Sequence, residues 1–318
     1  MLITIAVPTH NRSQLLQTTL ASIGALHLPA GIEAECVIVD NRSTDDTSSI
    51  VARFAARSAL PTRYIYESGA GSSYARNRAV EEAHGEIILF IDDDAVAEPD
   101  WAAEMLAEIE RRQLDVACGM VLPRWCREPP RWLGPTLYVR LAVHDARRLA
   151  MASRAECDAI HNYFSANVGF RRRTFETFGN FRRDLGVVGG NPISGEDTEL
   201  FARIMAWGGA VGFAPRARVH HIIPPERMRR LYLWRKSFAF GYGSAFAGGR
   251  NHNHLDKLAR NAIRLLFALA RADHERAVYH ELECANYFGY WRGRLDMKLR
   301  GRREEGGKPP SSQSSVVS

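Results

Sequence analysis

Residues 87–94 read IILFIDDD, an apolar segment that runs directly into three aspartates. An uninterrupted apolar run of this length is typical of a strand buried inside a sheet. In open α/β sheets, ligands bind just beyond the carboxyl ends of the strands. Carboxylates at that position can hold a hard divalent cation, which in turn holds phosphate oxygens. The alternative is an ordinary acidic turn, because Asp is common where strands end.

Apolar runs typical of strands alternate with helix-like segments through the first half of the chain. The predicted strands cover residues 3–7, 36–39, 64–66 and 87–91. Strands separated by helices predict an α/β fold with a Rossmann-like, mostly parallel sheet and helices on both faces. Thr9, Asp40 and Asp92 would then all lie at strand carboxyl ends, so polar side chains from three strands would meet at one edge.

Within the acidic triplet, Asp92 and Asp94 are the better pair of metal ligands. Alternate side chains along a strand point the same way, so these two can address one ion while Asp93 faces elsewhere. This alternation can fail at the end of a strand.

A second acidic pair lies in ISGEDTELF at residues 193–201. With Ser194 as N-cap and Asp197 three positions later, the segment approximates a capping box at a helix start. A glycine-rich loop also brings Glu196 and Asp197 to this helix end, where a carboxylate can act as a general base. Both interpretations can hold together, since a capped helix end is a rigid mount.

Two adjacent histidines, His220 and His221, are predicted to follow the last strand. Adjacent residues on a strand face opposite sides, so at most one of them should enter a site. A lone histidine is more often structural than a ligand. Beside a cation held by oxygen ligands, however, an imidazole would complement the site.

The bulk composition excludes several classes of protein. The 318 residues are 46% hydrophobic and 25% charged, which is ordinary for a globular domain, and the net charge of +6 suits anionic ligands. The five cysteines are scattered without a C-x-x-C pair, which favours a reduced protein over a disulfide framework or a zinc site. No signal-peptide pattern occurs, and no apolar run approaches the roughly 20 residues that span a bilayer.

Six segments, taken together, resemble the inverting family 2 glycosyltransferases of the GT-A fold. They occur in this order: VPTHNR (7–12), VIVDNRSTDDT (37–47), ARNRAVEEAHGEIILFIDDDAVAEPDW (75–101), NVGFRRRTFETFGNF (167–181), GEDTELFARIMAWG (195–208) and ARVHHIIPPERM (217–228). The resemblance implies transfer of a sugar from a nucleoside-diphosphate sugar to a hydroxyl acceptor, in cell-surface polysaccharide or glycolipid synthesis.

The resemblance also implies a role for each candidate residue. Mg²⁺ or Mn²⁺ would be held by Asp92, Asp94 and His221. Asp197 would be the catalytic base, with Glu196 as the alternative. The nucleotide sugar would be bound by Pro8, Thr9, Asn11, Asp40, Arg76, Asp92 and Asp93, with Asp40 at the nucleobase.

The predicted domains are a catalytic domain over 1–223, a helical extension over 224–300 and a disordered tail over 301–318. The catalytic domain would divide into a nucleotide-sugar half at about 1–122 and an acceptor half at about 160–223. Within the extension, RLYLWRKSFAFGYG (230–243) mixes aromatic and basic residues. It favours either a helix on an anionic membrane surface, near a lipid-linked acceptor, or a helix packed on the catalytic domain.

The implied partners are a nucleoside-diphosphate sugar, a saccharide or lipid-linked acceptor and a peripheral membrane contact, without nucleic acid. The implied location is cytoplasmic, in association with the inner face of the cell membrane. A sugar-nucleotide pyrophosphorylase would need a glycine-rich phosphate loop after the first strand, where this chain has PTHNR. A non-catalytic protein that is structural or binds nucleic acid would concentrate basic and aromatic residues on one module and give the acidic pairs no role.

Overall fold

The computed structural model of the protein describes residues 1–151, 163–186, 195–246 and 254–306. The described strands are β1 (Leu2–Thr9), β2 (Glu33–Asp40), β3 (Thr62–Tyr66), β4 (Ile87–Ile91), β5 (Ala95–Ala97), β6 (Val116–Trp125), β7 (Asn167–Arg171) and β8 (Val211–Ile223). They form one mixed sheet in the order β3-β2-β1-β4-β7-β6-β8-β5. Strands β3, β2, β1 and β4 are mutually parallel, as are β6 and β8, while β7 and β5 run antiparallel to their neighbours.

Helices follow most of these strands, as the alternating pattern predicts. The described α-helices are α1 (Ser13–Ile23), α2 (Thr47–Ala55), α3 (Ser72–Glu82), α4 (Trp101–Arg112), α5 (Ala146–Met151), α6 (Arg173–Phe178), α7 (Glu196–Ala206), α8 (Arg230–Phe246), α9 (His254–Ala270) and α10 (His274–Gly306). Short 3₁₀ turns cover Pro135–Leu141 and Pro225–Met228. None of the described helices is both long and apolar enough to cross a membrane.

The sheet separates two hydrophobic cores because successive side chains of a strand point to opposite faces. On β4, Ile87, Leu89 and Ile91 belong to the core that α1 and α4 cover, while Ile88 and Phe90 belong to the core under α3 and α7. All five are fully buried. IILFI is thus a buried strand, and the α/β architecture predicted from the alternation of strands and helices, a mostly parallel sheet with helices on both faces, is confirmed.

Strand β5 was not predicted from the sequence, and it determines which histidine meets the acidic turn. It pairs antiparallel with β8, so that Ala95 lies opposite His221 and Val96 opposite His220. The three residues of β5 carry no periodicity of their own, and they are extended only because β8 offers them an edge. Strand β8 is itself continuous, with a register shift against β6 between Gly119 and Met120.

Helix α7 starts at Glu196, directly after Gly195, whose φ of 110° is the left-handed conformation that glycine tolerates best. The acidic pair therefore occupies the first turn of the helix, as predicted. The proposed cap Ser194 and the glycine-rich loop before it lie outside the described residues.

Helices α8 and α10 pack backbone to backbone. A Cβ added at Gly241 would overlap the carbonyl oxygen of Asn286, and one added at Gly289 would overlap that of Phe238. Two interpretations of residues 230–243 were open, a helix on a membrane surface and a helix packed on the protein. The side of α8 that contains Gly241 and the buried Leu233 is packed on the protein.

Helix α10 extends to Gly306, so the first residues of the tail predicted to be disordered are helical instead. The reason is continuity. The helix is held by its contacts with α8, and residues 297–305 (MKLRGRREE) contain mostly good helix formers that can prolong it. The remainder of the predicted tail, 307–318, lies outside the described residues.

Replacing Gly241 with Ala should lower the free energy of unfolding by about 1–3 kcal/mol, since the new methyl group would force α8 away from α10. The matched control is Gly24→Ala, where the added Cβ lies 3.2 Å from a ring carbon of Phe54 that can move aside. Urea denaturation of both variants measures the difference. Equal losses would contradict close packing at Gly241.

Candidate active site

A cleft of about 1490 Å³ opens at the carboxyl ends of β1, β2 and β4. Its walls come from the strand ends, from α3 and α7, and from the C-terminal helices, which contribute Lys236, Phe240, Tyr279 and Glu283. The predicted site residues that line it are Pro8, Thr9, Asn11, Arg76, Asp92, Asp93, Glu196 and Asp197. Asp40, Asp94 and His221 are buried behind this surface.

The three aspartates form a tight turn between β4 and β5, closed by the Ala95 amide donating to the Asp92 carbonyl oxygen at 3.1 Å. Because β4 ends at Ile91, the predicted alternation of side chains does not extend through the turn. Arg12 Nη1 lies 2.8 Å from Asp93 Oδ1 and 2.9 Å from Asp94 Oδ2. Asp93 and Asp94 share this guanidinium, while Asp92 turns towards Arg76, 3.3 Å away. Simple strand alternation therefore does not describe the turn, and the pairing of Asp92 with Asp94 on one ion stays a prediction.

Asp93 is almost completely buried although it borders the cleft. Its Oδ2 accepts a hydrogen bond from the Thr9 hydroxyl at 2.8 Å. Burial raises the pKa of Asp93 to about 6, even though Arg12 and Thr9 favour the charged form. Asp93 thus fastens the acidic turn to the end of β1.

Asp94 is joined to His221 by a single guanidinium. Arg227 donates from Nη2 to Asp94 Oδ2 at 2.7 Å, and its Nη1 lies 2.7 Å from His221 Nε2. Burial would raise the pKa of Asp94, but its contacts with His221, Arg227 and Arg12 outweigh this and hold the pKa far below its usual range. His220 points the other way, with its Nε2 3.0 Å from Glu98 Oε1. Of the two histidines, His221 is therefore the one beside the acidic turn.

The atom types around Asp94, carboxylate oxygens and an imidazole nitrogen, suit a hard divalent cation. The described residues do not, however, contain a preformed group of three His, Cys, Asp or Glu side chains that could hold one. Asp94 Oδ1 is buried, accepts no hydrogen bond and lies 3.2 Å from His221 Nε2. Carboxylate oxygens with one imidazole nitrogen are a common donor set for Mn²⁺. A cation between Asp94 and His221 would have to take the place of Arg227.

Arg76 connects the acidic turn to the start of α7. From α3 its guanidinium donates to Glu196 Oε1 at 2.7 Å, to Ser165 Oγ at 2.9 Å and to Asp92 Oδ1 at 3.3 Å. Burial opposes the charge on Arg76, but Glu196 and Asp92 outweigh it and raise its pKa. Arg76 therefore fixes the distance between the two acidic segments.

The two carboxylates of α7 have opposite environments. Burial would raise the pKa of Glu196, but Arg76 and the Ser72 hydroxyl lower it below its usual value. The pKa of Asp197 is raised, by burial first and then by the negative charge of Glu196. Asp197 Oδ2 has only longer contacts, at 3.2 Å to Ser165 Oγ and 3.4 Å to the Ser165 amide. Glu196 is thus held in an ion pair with Arg76, while Asp197 has an oxygen in the cleft that can accept a proton.

Asp40 already has partners on both oxygens of its carboxylate. The Ser43 amide donates to Oδ1 at 2.8 Å and the Tyr64 hydroxyl to Oδ2 at 2.6 Å. In front of it, Asn11 accepts a hydrogen bond from the Thr44 amide at 2.7 Å, which ties the β1 loop to the β2 loop. Asp40 therefore shapes this end of the cleft from beneath its surface.

Sequence reasoning assigned no role to Arg12, Ser165 or Arg227. Arg12 and Arg227 stand inside segments that support the family resemblance, VPTHNR and ARVHHIIPPERM. No spacing rule connects an arginine on the β1 loop, or one after β8, with the turn after β4. Their part in the site follows only from strand order.

A family model described as glycosyl transferase family 2 matches residues 4–179, more than half of the chain. The chain belongs to glycosyl transferase family 2. The enzyme class and the GT-A fold expected from the sequence are thereby confirmed, and the pyrophosphorylase and non-catalytic alternatives lose their support.

Individual relatives agree with this assignment. The succinoglycan biosynthesis protein ExoM of Rhizobium meliloti is 25% identical over 240 residues, which cover 75% of this chain and 72% of the relative. The glucosyl-dolichyl phosphate glucuronosyltransferase of Haloferax volcanii is 29% identical over 174 residues, which cover 54% of each chain. The structure of the mannosyltransferase PcManGT from Pyrobaculum calidifontis, in complex with GDP-Man and Mn²⁺, has a TM-score of 0.66 at 20% identity. That match covers 92% of this glycosyltransferase and 87% of PcManGT.

Replacing Arg76 with Met should lower the free energy of unfolding by about 3–5 kcal/mol, because Glu196 would remain buried without its charged partner. The matched control is Arg78→Met on the same helix. Its half-exposed i,i+4 pair with Glu82, at 2.6 Å, should contribute only about 0.5 kcal/mol.

Chemical denaturation compares these variants. Adding Glu196→Gln to Arg76→Met should restore part of the loss, because the uncompensated charge is then removed. Similar losses for Arg76→Met and Arg78→Met would contradict the role of Arg76 as the buried link.

Proposed function

We propose that this glycosyltransferase is a metal-dependent, inverting enzyme. It would transfer a sugar from a nucleoside-diphosphate sugar to an acceptor hydroxyl in the synthesis of a cell-surface polysaccharide or glycolipid. The observation that carries this function is the pairing of Asp197, a half-buried carboxylate with a raised pKa, with the acidic turn across one cleft. Inverting sugar transfer needs these two elements on opposite sides of the reacting sugar.

Asp197 is the proposed catalytic base. It accepts the proton of the acceptor hydroxyl, which then attacks the sugar from the face opposite the leaving diphosphate and so inverts the anomeric centre. A raised pKa makes its carboxylate a better proton acceptor than an ordinary aspartate. Glu196 is the weaker candidate, because its 2.7 Å contacts with Arg76 and Ser72 already use its Oε1.

The proposed cation is Mg²⁺ or Mn²⁺, held by Asp92, Asp94 and His221. When bound, it would stabilise the negative charge that develops on the leaving diphosphate. Support comes from the donor set around Asp94 and from the Mn²⁺ in the PcManGT complex. Arg227, released from Asp94 and His221, would be a second cation at the same end of the cleft.

The proposed donor site occupies the strand ends of the nucleotide-sugar half, at about 1–122. Pro8, Thr9 and Asn11 would flank the nucleotide, with Arg76, Asp92 and Asp93 nearer to its diphosphate and sugar. Asp40 would contact the nucleobase, directly or through the Tyr64 hydroxyl that it holds. The acceptor would enter between the half at about 160–223 and the helical extension over 224–300, since both border the cleft.

The proposed acceptor is a saccharide or a lipid-linked sugar, and the proposed place of action is the cytoplasmic side of a membrane, with peripheral contact and no nucleic acid. The name of the Haloferax volcanii relative, a glucosyl-dolichyl phosphate glucuronosyltransferase, supports a lipid-linked acceptor. Lys236 on the cleft wall is suited to an anionic group of such a substrate.

The decisive experiment measures thermal stabilisation by UDP-, GDP- and dTDP-sugars, with Mn²⁺, Mg²⁺ or EDTA, and hydrolysis of each donor. We expect one nucleotide class to stabilise the protein in the presence of metal, by about 2.7 kcal/mol at a concentration 100 times the Kd. Asp94→Ala should abolish the effect of the metal. Asp197→Asn should bind donor as wild type does but turn over about 10²–10⁴-fold more slowly.

Glu98→Gln is the control, because Glu98 contacts the outward-facing His220 and not the acidic turn. It should match the wild type in both assays. Failure of every sugar nucleotide to stabilise the protein with either metal would contradict the proposed reaction.

The pH profile of kcat/KM gives an independent test of the base. Activity should fall as the pH drops through the pKa of Asp197, which lies above its ordinary value of 3.8 because of burial and of Glu196. Glu196→Gln removes that neighbouring negative charge, so the acidic limb should move to lower pH whatever happens to the maximal rate. A limb that stays in place, or moves to higher pH, would contradict Asp197 as the base.

A further inference from the structure

Helix α9 exposes a continuous apolar face. The large side chains on it are more than half exposed: Leu255 (59%), Ile263 (54%), Leu266 (68%), Phe267 (62%) and Leu269 (57%). Steps of eight and three residues separate Leu255, Ile263 and Leu266, so all three lie on one side of the helix. Exposed apolar residues are common singly, but an aligned row of this kind marks an interaction surface.

This exposure is concentrated in the C-terminal helices. Nine of the sixteen large apolar side chains that are exposed in the described part of the chain belong to α9 or α10. On α10 they are Phe288, Trp291, Leu295 and Leu299. Among the described residues, exposed apolar side chains are therefore most concentrated on this helix pair.

A basic cavity borders the apolar face of α9. It has a volume of about 310 Å³ and is lined by Arg264, Phe267, Ala268, Arg271, Asp273, Arg276 and His280. Arg276 pairs with Asp273 at 3.4 Å, while Arg264 and Arg271 form no ion pair with any residue that the structure describes. Phe267 belongs both to the apolar face and to the cavity, so the two features adjoin.

The remaining face of α9 is fixed to the protein. Asn261 is buried there, with its Oδ1 2.9 Å from Nδ1 of His280 on α10, and Ala268 is buried beside it. Helix α9 thus has a packed side, a basic side and an apolar side open to the surroundings. This three-sided pattern is typical of helices that lie in the plane of a membrane interface.

We propose that α9 docks on an anionic bilayer, with Leu255, Ile263, Leu266 and Phe267 among the acyl chains and the arginines of the cavity on lipid phosphates. Arg264 and Arg271 are placed for this because both lie within one turn of Phe267. Apolar insertion and attraction to anionic headgroups act together in such binding.

Charge complementarity favours a bilayer over a second copy of the chain. In a symmetric dimer the same patch meets itself, so the unpaired Arg264 and Arg271 would face the identical arginines of the other copy. An anionic lipid surface complements both the apolar and the basic part of the patch.

The docking surface is connected to the cleft through α10. Tyr279 borders the cleft and the adjacent His280 borders the basic cavity, so a bilayer at α9 would lie next to the cleft wall. The inference that a lipid-linked acceptor enters from this side rests on the proposed function. The docking itself does not.

The test is flotation of the full-length protein with vesicles of phosphatidylglycerol and phosphatidylethanolamine, compared with vesicles of phosphatidylcholine alone. Wild type should float with the anionic vesicles. Leu266→Ser/Phe267→Ser should bind these vesicles at least about tenfold more weakly, because it loses the inserted side chains. Arg264→Glu/Arg271→Glu should lose the preference for anionic lipid. Matched controls are Trp207→Ser and Arg216→Glu, which change exposed side chains outside the helix pair and should float like wild type.

The same samples, without vesicles, are tested for melting temperature, for stabilisation by sugar nucleotides and for molecular mass by light scattering. All variants should melt like wild type, since the altered side chains are exposed or half-exposed. A failure of sugar nucleotides to stabilise any sample would count against the proposed reaction and leave the flotation result to decide the docking.

Three results would overturn the docking. The first is wild type that remains in the unbound fraction with anionic vesicles, and the second is flotation of both double variants at the wild-type level. The third is a dimer that Leu266→Ser/Phe267→Ser dissociates while no sample binds vesicles, which would assign the apolar face to a second copy.

Discussion

The buried guanidinium of Arg76 is the interaction on which the site depends. It joins Asp92, at the end of a central strand, to Glu196, in the first turn of α7, although 104 positions separate them in the chain. Taking the charges of Arg76 and Glu196 out of water is costly, so both stay ionised only because each is paired with the other. By absorbing the charge of Glu196, Arg76 leaves Asp197 as the carboxylate with the raised pKa.

The other end of the cleft is held by the same kind of contact. Arg12 and Arg227 neutralise the carboxylates of Asp93 and Asp94, which could not otherwise share one buried turn. Arginines therefore hold the acidic groups in place at both ends, and a divalent cation at Asp94 and His221 would have to replace Arg227. The C-terminal helices complete the cleft, because α8 and α10 approach closely enough for both to contribute to its wall.

Local patterns predicted the central sheet well and the details of the acidic turn poorly. The run IILFI is unambiguous as a buried strand, and the positions of Thr9, Asp40 and Asp92 at strand ends follow from the alternation of strands and helices. Side-chain directions beyond Ile91 depend on β5, which has no signal in the sequence. Surface exposure was equally hard to predict. The composition of RLYLWRKSFAFGYG suggested a surface helix at residues 230–243, but the longer exposed apolar face belongs to α9.

The sequence by itself determined the α/β architecture, the family and the residue types from which the site is built, because these depend on short-range periodicity and on segments that can be recognised in order. Only the tertiary structure decided that His221 rather than His220 meets Asp94, that Arg76 pairs with Glu196, and that Arg227 lies between Asp94 and His221. The physical reason is that each of these contacts joins residues on different strands or helices. Strand order and register set such distances, and no local pattern encodes them.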